Sequence, residues 1–235
     1  MKLVDGSMSD ESKARLASHV QYTVPGPKLG PVNRATLIRD PRHLGFTLAR
    51  YKFVSKMLAG MDEIVEIGCH EATGSLVVAR EVGRLTAVDV QADVIDFCNQ
   101  EYGPLKLNVR FEACDVLDGL PRSSRPDGLY KAAYLLDVLE HVDPSQEDIF
   151  IDAICRVLDR SSGVLIVGIP SLESQAYASP VSAGQHINCK TSAQLKAFLS
   201  DRFANVFMFG MNDEVLHTGF AAMSHYLFAL AVGPK

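Results

Sequence analysis

The sequence predicts an α/β fold: a doubly wound, mostly parallel sheet of seven strands with the last strand antiparallel. Three observations lead there. Short apolar runs alternate with helix-spaced amphipathic segments from about residue 40 onward, and that alternation builds parallel sheets with helices on both faces. Several of the runs end in an acidic residue and a turn, the arrangement that open α/β sheets place at their ligand-binding edge. Two late runs lie close together, which suits an antiparallel pair at the sheet edge.

Residues 1–40 are polar and turn-rich, with Pro25-Gly26-Pro27 and Gly30-Pro31. They are expected to form an arm or partial lid beside one domain over 41–235. Asp40-Pro41 reads as an N-cap and first helical residue, and Leu44, Leu48, Tyr51 and Leu58 keep helical spacing behind it. Strands are expected at 64–68, 84–89, 108–113, 131–136 and 164–169, with helices at 73–82, 92–101 and 144–158. The third helix has Asp143 as cap, Pro144 first and Gln146 where a capping box places its amide. Its stripe of Ile149, Ala153, Ile154, Val157 and Leu158 should face a core. Beyond it, 191–200 reads as a helix and 204–209 and 226–232 as strands. The stretch from Met211 to His225 reads as a short helix with a loop.

With 235 residues, 47% apolar and 22% charged, the chain can bury a sizeable core. No apolar run approaches the roughly 18 to 20 residues of a membrane span, and Met1-Lys2-Leu3-Val4-Asp5-Gly6 lacks the apolar stretch of a signal peptide. No membrane partner is expected. The five cysteines (Cys69, Cys98, Cys114, Cys155 and Cys189) are scattered, with no C-x-x-C pair. That pattern fits reduced thiols and a cytoplasmic location better than a disulfide framework or structural zinc. A formal charge of −5 weighs against a nucleic-acid partner, which needs a basic footprint. Between residues 28 and 60, however, Lys28, Arg34, Arg39, Arg42, Arg50, Lys52 and Lys56 face a single acid, Asp40. A solvated helix face is the plain explanation, and an anion-attracting rim the sharper one.

Glu66, Asp89 and Asp115 end three successive strand candidates. A carboxylate after the second strand can accept both hydrogen bonds of a ribose diol, and Asp89 lies twenty-three residues after Glu66. Strand-end acids also cap turns, which any one of the three could do alone. Together they point to a nucleotide-like ligand. The glycines say which kind. A dinucleotide loop needs G-x-G-x-x-G, but counting from Gly68 this chain has His70 and Thr73 in the second and third places. That speaks against NAD or FAD.

At these residues the sequence resembles the class I S-adenosylmethionine-dependent methyltransferases, whose first motif is an acidic residue, any residue, then G-x-G-x-G. Glu66-Ile67-Gly68 matches its first half, while His70 and Ala72 stand where the family has glycines. Ala87-Val88-Asp89, Cys114-Asp115-Val116 and Tyr134-Leu135-Leu136-Asp137-Val138-Leu139-Glu140-His141-Val142 match the segments after the second, third and fourth strands. Arg156-Val157-Leu158, Ser162-Gly163 and Val164-Leu165-Ile166-Val167-Gly168-Ile169-Pro170 complete the resemblance, which runs from about residue 60 to 232. The Leu-Glu-His-Val segment is its most specific piece. The resemblance implies a Rossmann-like sheet, S-adenosylmethionine as cofactor and S-adenosylhomocysteine as product. It implies that Glu66 and Gly68, with Cys69 and His70 of the same loop, surround the methionine part. Asp89, with Val90 beside it, would bind the ribose, Asp115 and the Val116 amide the adenine, and Leu136 and Asp137 would line the methionine end.

Methyl transfer from a sulfonium is an in-line displacement in which placing the nucleophile supplies much of the catalysis, and a hydroxyl acceptor adds a need for a base. His141 after the fourth strand is one catalytic candidate, its plain alternative being a histidine that packs the start of a helix. His186 is the other, in the long 170–190 loop with Ser171, Gln175, Tyr177 and Gln185. His217 and His225, with Asp213 and Glu214, fall in the late connection and could reach the same mouth. Asp137, Glu140, His141 and His186 resemble the donor set of some metal-dependent O-methyltransferases. Glu-His also occurs in many relatives that bind no metal, and no metal site is expected here. The expected function is methylation, at oxygen, of a small anionic or sugar-like molecule. A non-catalytic cofactor-binding module and an NAD-dependent oxidoreductase are the alternatives, and an RNA methyltransferase is disfavoured by charge.

Overall fold

The computed structural model describes residues 9–12, 14 and 26–235. Half of the expected arm, residues 1–8, 13 and 15–25, lies outside the described residues, as does the reading of Met1 to Gly6. Its last part, read as turn-rich, holds a helix, α1 (Pro31–Arg39). Then follow α2 (Pro41–Met57), β1 (Glu63–Ile67), α3 (Ser75–Ala79), β2 (Arg84–Asp89), α4 (Ala92–Tyr102), β3 (Val109–Ala113) and β4 (Ala132–Leu136). The second half carries α5 (Glu147–Arg156), β5 (Val164–Pro170), α6 (Pro180–Gln185), α7 (Ser192–Ser200), β6 (Phe203–Asn212), β7 (Val215–His217) and β8 (Tyr226–Pro234).

The helix starts follow local chemistry. Asp40 accepts from the His43 amide at 3.4 Å with Pro41 in the first turn, and Thr191 forms a full capping box with Gln194. The start expected at Pro144 is displaced to Glu147. Asp143 spends its carboxylate on the Ser145 amide and hydroxyl, at 2.8 and 2.6 Å, while Gln146 N–H bonds back to the Asp143 carbonyl. This local turn competes with the helix and ends before it. The stripe is also rotated: Ile149 is exposed, and Phe150 and Ile151 are buried in its place. The helix expected over 73–82 shortens to α3.

The sheet has eight strands, not seven, in the order β3-β2-β1-β4-β5-β8-β6-β7. β1 to β5 pair in parallel, and β8 enters antiparallel between β5 and β6. The added strand is β7, which pairs antiparallel with the end of β6 where a helix was expected. Asp213 takes a left-handed φ of 51°, so the chain doubles back within two residues instead of coiling. Side chains alternate between two cores. Ile64, Leu85, Ala132, Tyr134, Ile166 and Phe228 pack with α2, α3 and α4 on one face. Val65, Val88, Leu135, Val167 and Leu227 pack with α5 and α7 on the other. The fold is therefore doubly wound and Rossmann-like, with its last strand antiparallel, and no described helix is long and apolar enough to cross a membrane.

Candidate functional site

Strand order reverses between β1 and β4, and loops diverging at such a point open a crevice at the carboxyl ends of the strands. The loop after β1 (68–74) and the turn after β4 (137–141) form its walls. They touch: a Cβ built on Gly68, whose φ is +77°, would overlap Val138 Cγ2, so both the backbone and the space there call for glycine. Gly68 and Cys69 donate their amides to the Val88 carbonyl at 2.8 and 3.0 Å. His70 donates its amide to Asp89 Oδ2 at 2.8 Å. The two departures from glycine keep a glycine's backbone, with φ of 46° at His70 and 55° at Ala72. The left-handed region costs an L residue about 1–2 kcal/mol, so the loop carries strain that its hydrogen bonds offset.

Three strand-end acids sit in three different environments. Glu66 is fully buried among core side chains, and burial pushes its carboxyl up to about 7 even though the hydroxyls of Ser75, Tyr134 and Tyr51 face it and oppose the rise. Neither carboxylate oxygen closes a hydrogen bond of good geometry among the described residues. Asp89 is nearly buried, and each of its oxygens holds one main-chain N–H, from His70 and from Gln91 at 3.0 Å. One lone pair on each oxygen remains for a diol. Val90 stands exposed beside it. Asp115 is exposed and caps its own turn through the Leu117 amide at 2.9 Å, with Val116 buried next to it.

On the β4 side, Leu136 is buried and Asp137 takes a φ of 57°. Arg50 of α2 places one terminal nitrogen 2.9 and 2.8 Å from the two oxygens of Asp137, and its guanidinium lies 3.9 Å from the Tyr226 ring centroid. Burial works against the Arg50 charge, but Asp137 outweighs it and holds the group above its ordinary value. Glu140 follows at zero exposure with both oxygens unpartnered among the described residues. Burial, then Asp137, pushes its carboxyl well above the usual range. His141 and His186 are brought together, with ring centroids 5.2 Å apart. His141 Nδ1 lies 3.1 Å from the Gln185 carbonyl and His186 Nδ1 3.0 Å from Gln175 Oε1. Burial and the neighbouring His141 lower the His186 value. His217 sits in the β6–β7 hairpin and takes the Gly219 amide at 3.2 Å, while the His225 carbonyl accepts from Ser171.

The sequence reading did not single out several groups that shape this crevice. Tyr51 and Tyr134 stack edge to face at 6.3 Å above Glu66, and Tyr226 lies under Arg50 from the far end of the chain. Glu71 reaches out of the 68–74 loop to the start of α1, taking the amides of Val32 and Asn33 at 2.7 and 2.8 Å and the Asn33 side chain at 2.7 Å. Helical spacing marked Tyr51 as apolar-facing; nothing local marked Tyr226 or Glu71. The basic stretch is divided among neighbours: Arg50 enters the crevice, Lys56 pairs with Glu81 at 2.5 Å, and Arg42 lies 3.5 Å from Asp40. Lys52 and Lys56 edge a separate groove of about 650 Å³ floored by Leu48, Phe53, Val77 and Met211.

Residues 64–161 match a family model described as a methyltransferase domain. No curated protein matches the chain. Among solved structures it is similar to the N-methyltransferase NodS from Bradyrhizobium japonicum WM9 in complex with S-adenosylhomocysteine, at 21% identity and a TM-score of 0.59, over 85% of this chain and 91% of that one. It is also similar to the plantazolicin methyltransferase BpumL in complex with the same compound, at 13% identity and a TM-score of 0.62, over 97% and 92%. The small RNA methyltransferase HEN1 gives 13% identity and a TM-score of 0.65, over 80% of this chain and 25% of that one. At such identities the likeness establishes the fold.

Proposed function

We propose that this chain, whose residues 64–161 match a methyltransferase-domain family model within a Rossmann-like fold, moves the methyl group of S-adenosylmethionine to a hydroxyl oxygen of a small molecule. The observation that carries this reading is the loop after β1. It keeps a left-handed path at His70 and Ala72 and pins Asp89 with the His70 amide, which leaves a partly satisfied carboxylate at the place where a ribose diol would sit. The unpartnered Glu66 carboxylate behind the loop is a second feature suited to a polar ligand.

In this reading Gly68, Cys69 and His70 hold the methionine part from the β1 side, with Glu66 beneath, and Leu136 and Asp137 hold it from the β4 side. Asp89 binds the ribose hydroxyls with Val90 beside it, and Asp115 with the Val116 amide receives the adenine. The donor supplies a methyl group on a positively charged sulfur, which leaves with its bonding electrons. The protein's own residues then align the acceptor oxygen and take its proton. His141 and His186 flank the acceptor side, and the His186 imidazole, which burial and then His141 hold below its ordinary value, can accept that proton in its neutral form. Their position, not a basic patch, supports oxygen as the acceptor atom. A sugar-like or anionic acceptor remains the proposed substrate class, but Arg50 is matched by Asp137, so an anion would have to meet the exposed Arg34, Arg39 or Arg42.

Isothermal titration with S-adenosylhomocysteine and with NAD tests the donor. The expected result is micromolar binding of the first, none of the second, and a loss of about 30-fold in affinity in Asp89→Ala, the loss of one charged hydrogen-bonding group. Binding of NAD alone would overturn the reading.

A further inference from the structure

Glu140 poses a problem that the methyl-transfer reading does not solve. A carboxylate removed from water needs a proton, a cation or several hydrogen-bond donors, and Glu140 is fully buried with neither oxygen partnered among the described residues. The nearby positive charges are engaged elsewhere. Arg50 is committed to Asp137, and Lys190 pairs with Glu147 at 2.6 Å. The Glu140 backbone is fixed as well, its carbonyl accepting from the Asn188 amide at 3.0 Å. The carboxylate is therefore held where it is and has no counter-charge.

Two imidazoles complete the setting. One donor atom from each of Glu140, His141 and His186 lies within 4.8 Å of the other two. The Gln185 carbonyl can only accept, so His141 must carry its proton on Nδ1. Gln175 points its amide nitrogen at the Ser171 carbonyl, 3.3 Å away, which leaves Oε1 to accept from His186 Nδ1. Both rings thus present an unprotonated Nε2. An oxygen acceptor on the far nitrogen is the arrangement that orients metal-binding histidines and fixes their tautomer.

We propose that Glu140, His141 and His186 bind a divalent cation of the Mn²⁺, Fe²⁺ or Zn²⁺ kind. Two imidazoles and one carboxylate suit these ions better than Mg²⁺ or Ca²⁺, which prefer oxygen donors. Bonds of about 2.0–2.2 Å require the three side chains to draw together from the separation they have now, a rotamer-scale adjustment for the exposed His141. The inference departs from the expectation of no metal drawn from sequence. Cation binding itself does not depend on the methyl-transfer reading; only its consequence does. On the acceptor side such an ion would polarise the acceptor hydroxyl, and the two histidines would then act as ligands rather than as bases.

The test uses the full chain stripped with a chelator and desalted, titrated with Mn²⁺ and followed by calorimetry and by loss of the free-ion electron paramagnetic resonance signal. Expected is one equivalent bound at micromolar affinity, weakened by about 30-fold in Glu140→Gln and by at least about 10-fold in His141→Ala. The His141 ring is exposed, so that second variant should keep the fold, which circular dichroism checks. Absence of binding up to about 1 mM ion, or binding unchanged in both variants, would overturn the site. S-adenosylhomocysteine is titrated into the same samples. Its binding without Mn²⁺ binding sinks the cation site alone, and Mn²⁺ binding without it upholds the cation site while sinking the donor pocket.

Discussion

On the β1–β2 side of the crevice, the candidate groups lie within a few residues of a strand end, and all but Glu66 are fixed by main-chain bonds. Gly68 and Cys69 share the Val88 carbonyl, and His70 and Gln91 hold Asp89. On the other side, the groups come from segments far apart in sequence and meet through side chains: His141 against Gln185, His186 against Gln175, Arg50 against Asp137. That side also leaves Tyr177, Val181, Phe220 and Met223 exposed. The first wall is tied together by main-chain bonds, so a change there should alter stability and any binding together. The second presents more exposed side chains, such as His141, from loops, where change is tolerated better than in the elements they connect.

The sharpest break in this contrast is Gly68→Ala. It combines a left-handed φ with overlap on Val138, and should cost about 3–4 kcal/mol of stability while abolishing S-adenosylhomocysteine binding; thermal melts and calorimetry read both. Unchanged melting would show the β1–β4 contact to be loose. Next is pH. The folded carboxyl of Glu66 titrates at about 7 against an ordinary 4.5, so its contribution is full below about pH 4.5 and is lost as pH rises through 7. The loss is on the order of 3 kcal/mol. Denaturant melts should show a fall between pH 5 and 8 that Glu66→Gln flattens, and parallel curves for the two proteins would refute the assignment.

A change on the opposite wall should separate function from stability. His186→Ala is expected to lower kcat about 100-fold with melting temperature and S-adenosylhomocysteine affinity little changed. A joint collapse of all three would erase the distinction between the walls. The smallest effect is expected for His70→Gly. Relief of left-handed strain is opposed by the greater freedom of glycine in the unfolded chain, so stability should shift by less than about 1 kcal/mol. A large loss would mean that the imidazole itself holds the loop.

Much of the parallel sheet was legible in the sequence, because burial on both faces writes parallel strands as unbroken apolar runs such as Ile64-Val65 and Val164-Leu165-Ile166-Val167. The cap at Asp40 was legible because it acts within one helical turn. Where two local signals competed, the reading failed. Asp143 resembled a helix cap but closed its own turn with Ser145, and 211–225 resembled a helix but turned back at Asp213. The pairing of Arg50 with Asp137 spans 87 residues, and no local pattern encodes it. Glu140 was legible as a possible metal donor, but its lack of a partner is a property of the packed chain.

One bond set has a wider reach. Glu71 belongs to the same short loop as Gly68 and His70, and it alone receives the leading amides of α1. The position of that helix and the order of the loop are then coupled through these bonds. By thermodynamic reciprocity, whatever order a ligand at the loop lends to the helix, ordering the helix lends back to that ligand's binding. Hydrogen exchange at Val32 and Asn33 would therefore report occupancy of a pocket that neither residue lines. Conversely, an antibody or a partner that seized α1 would tune the affinity of the pocket from outside.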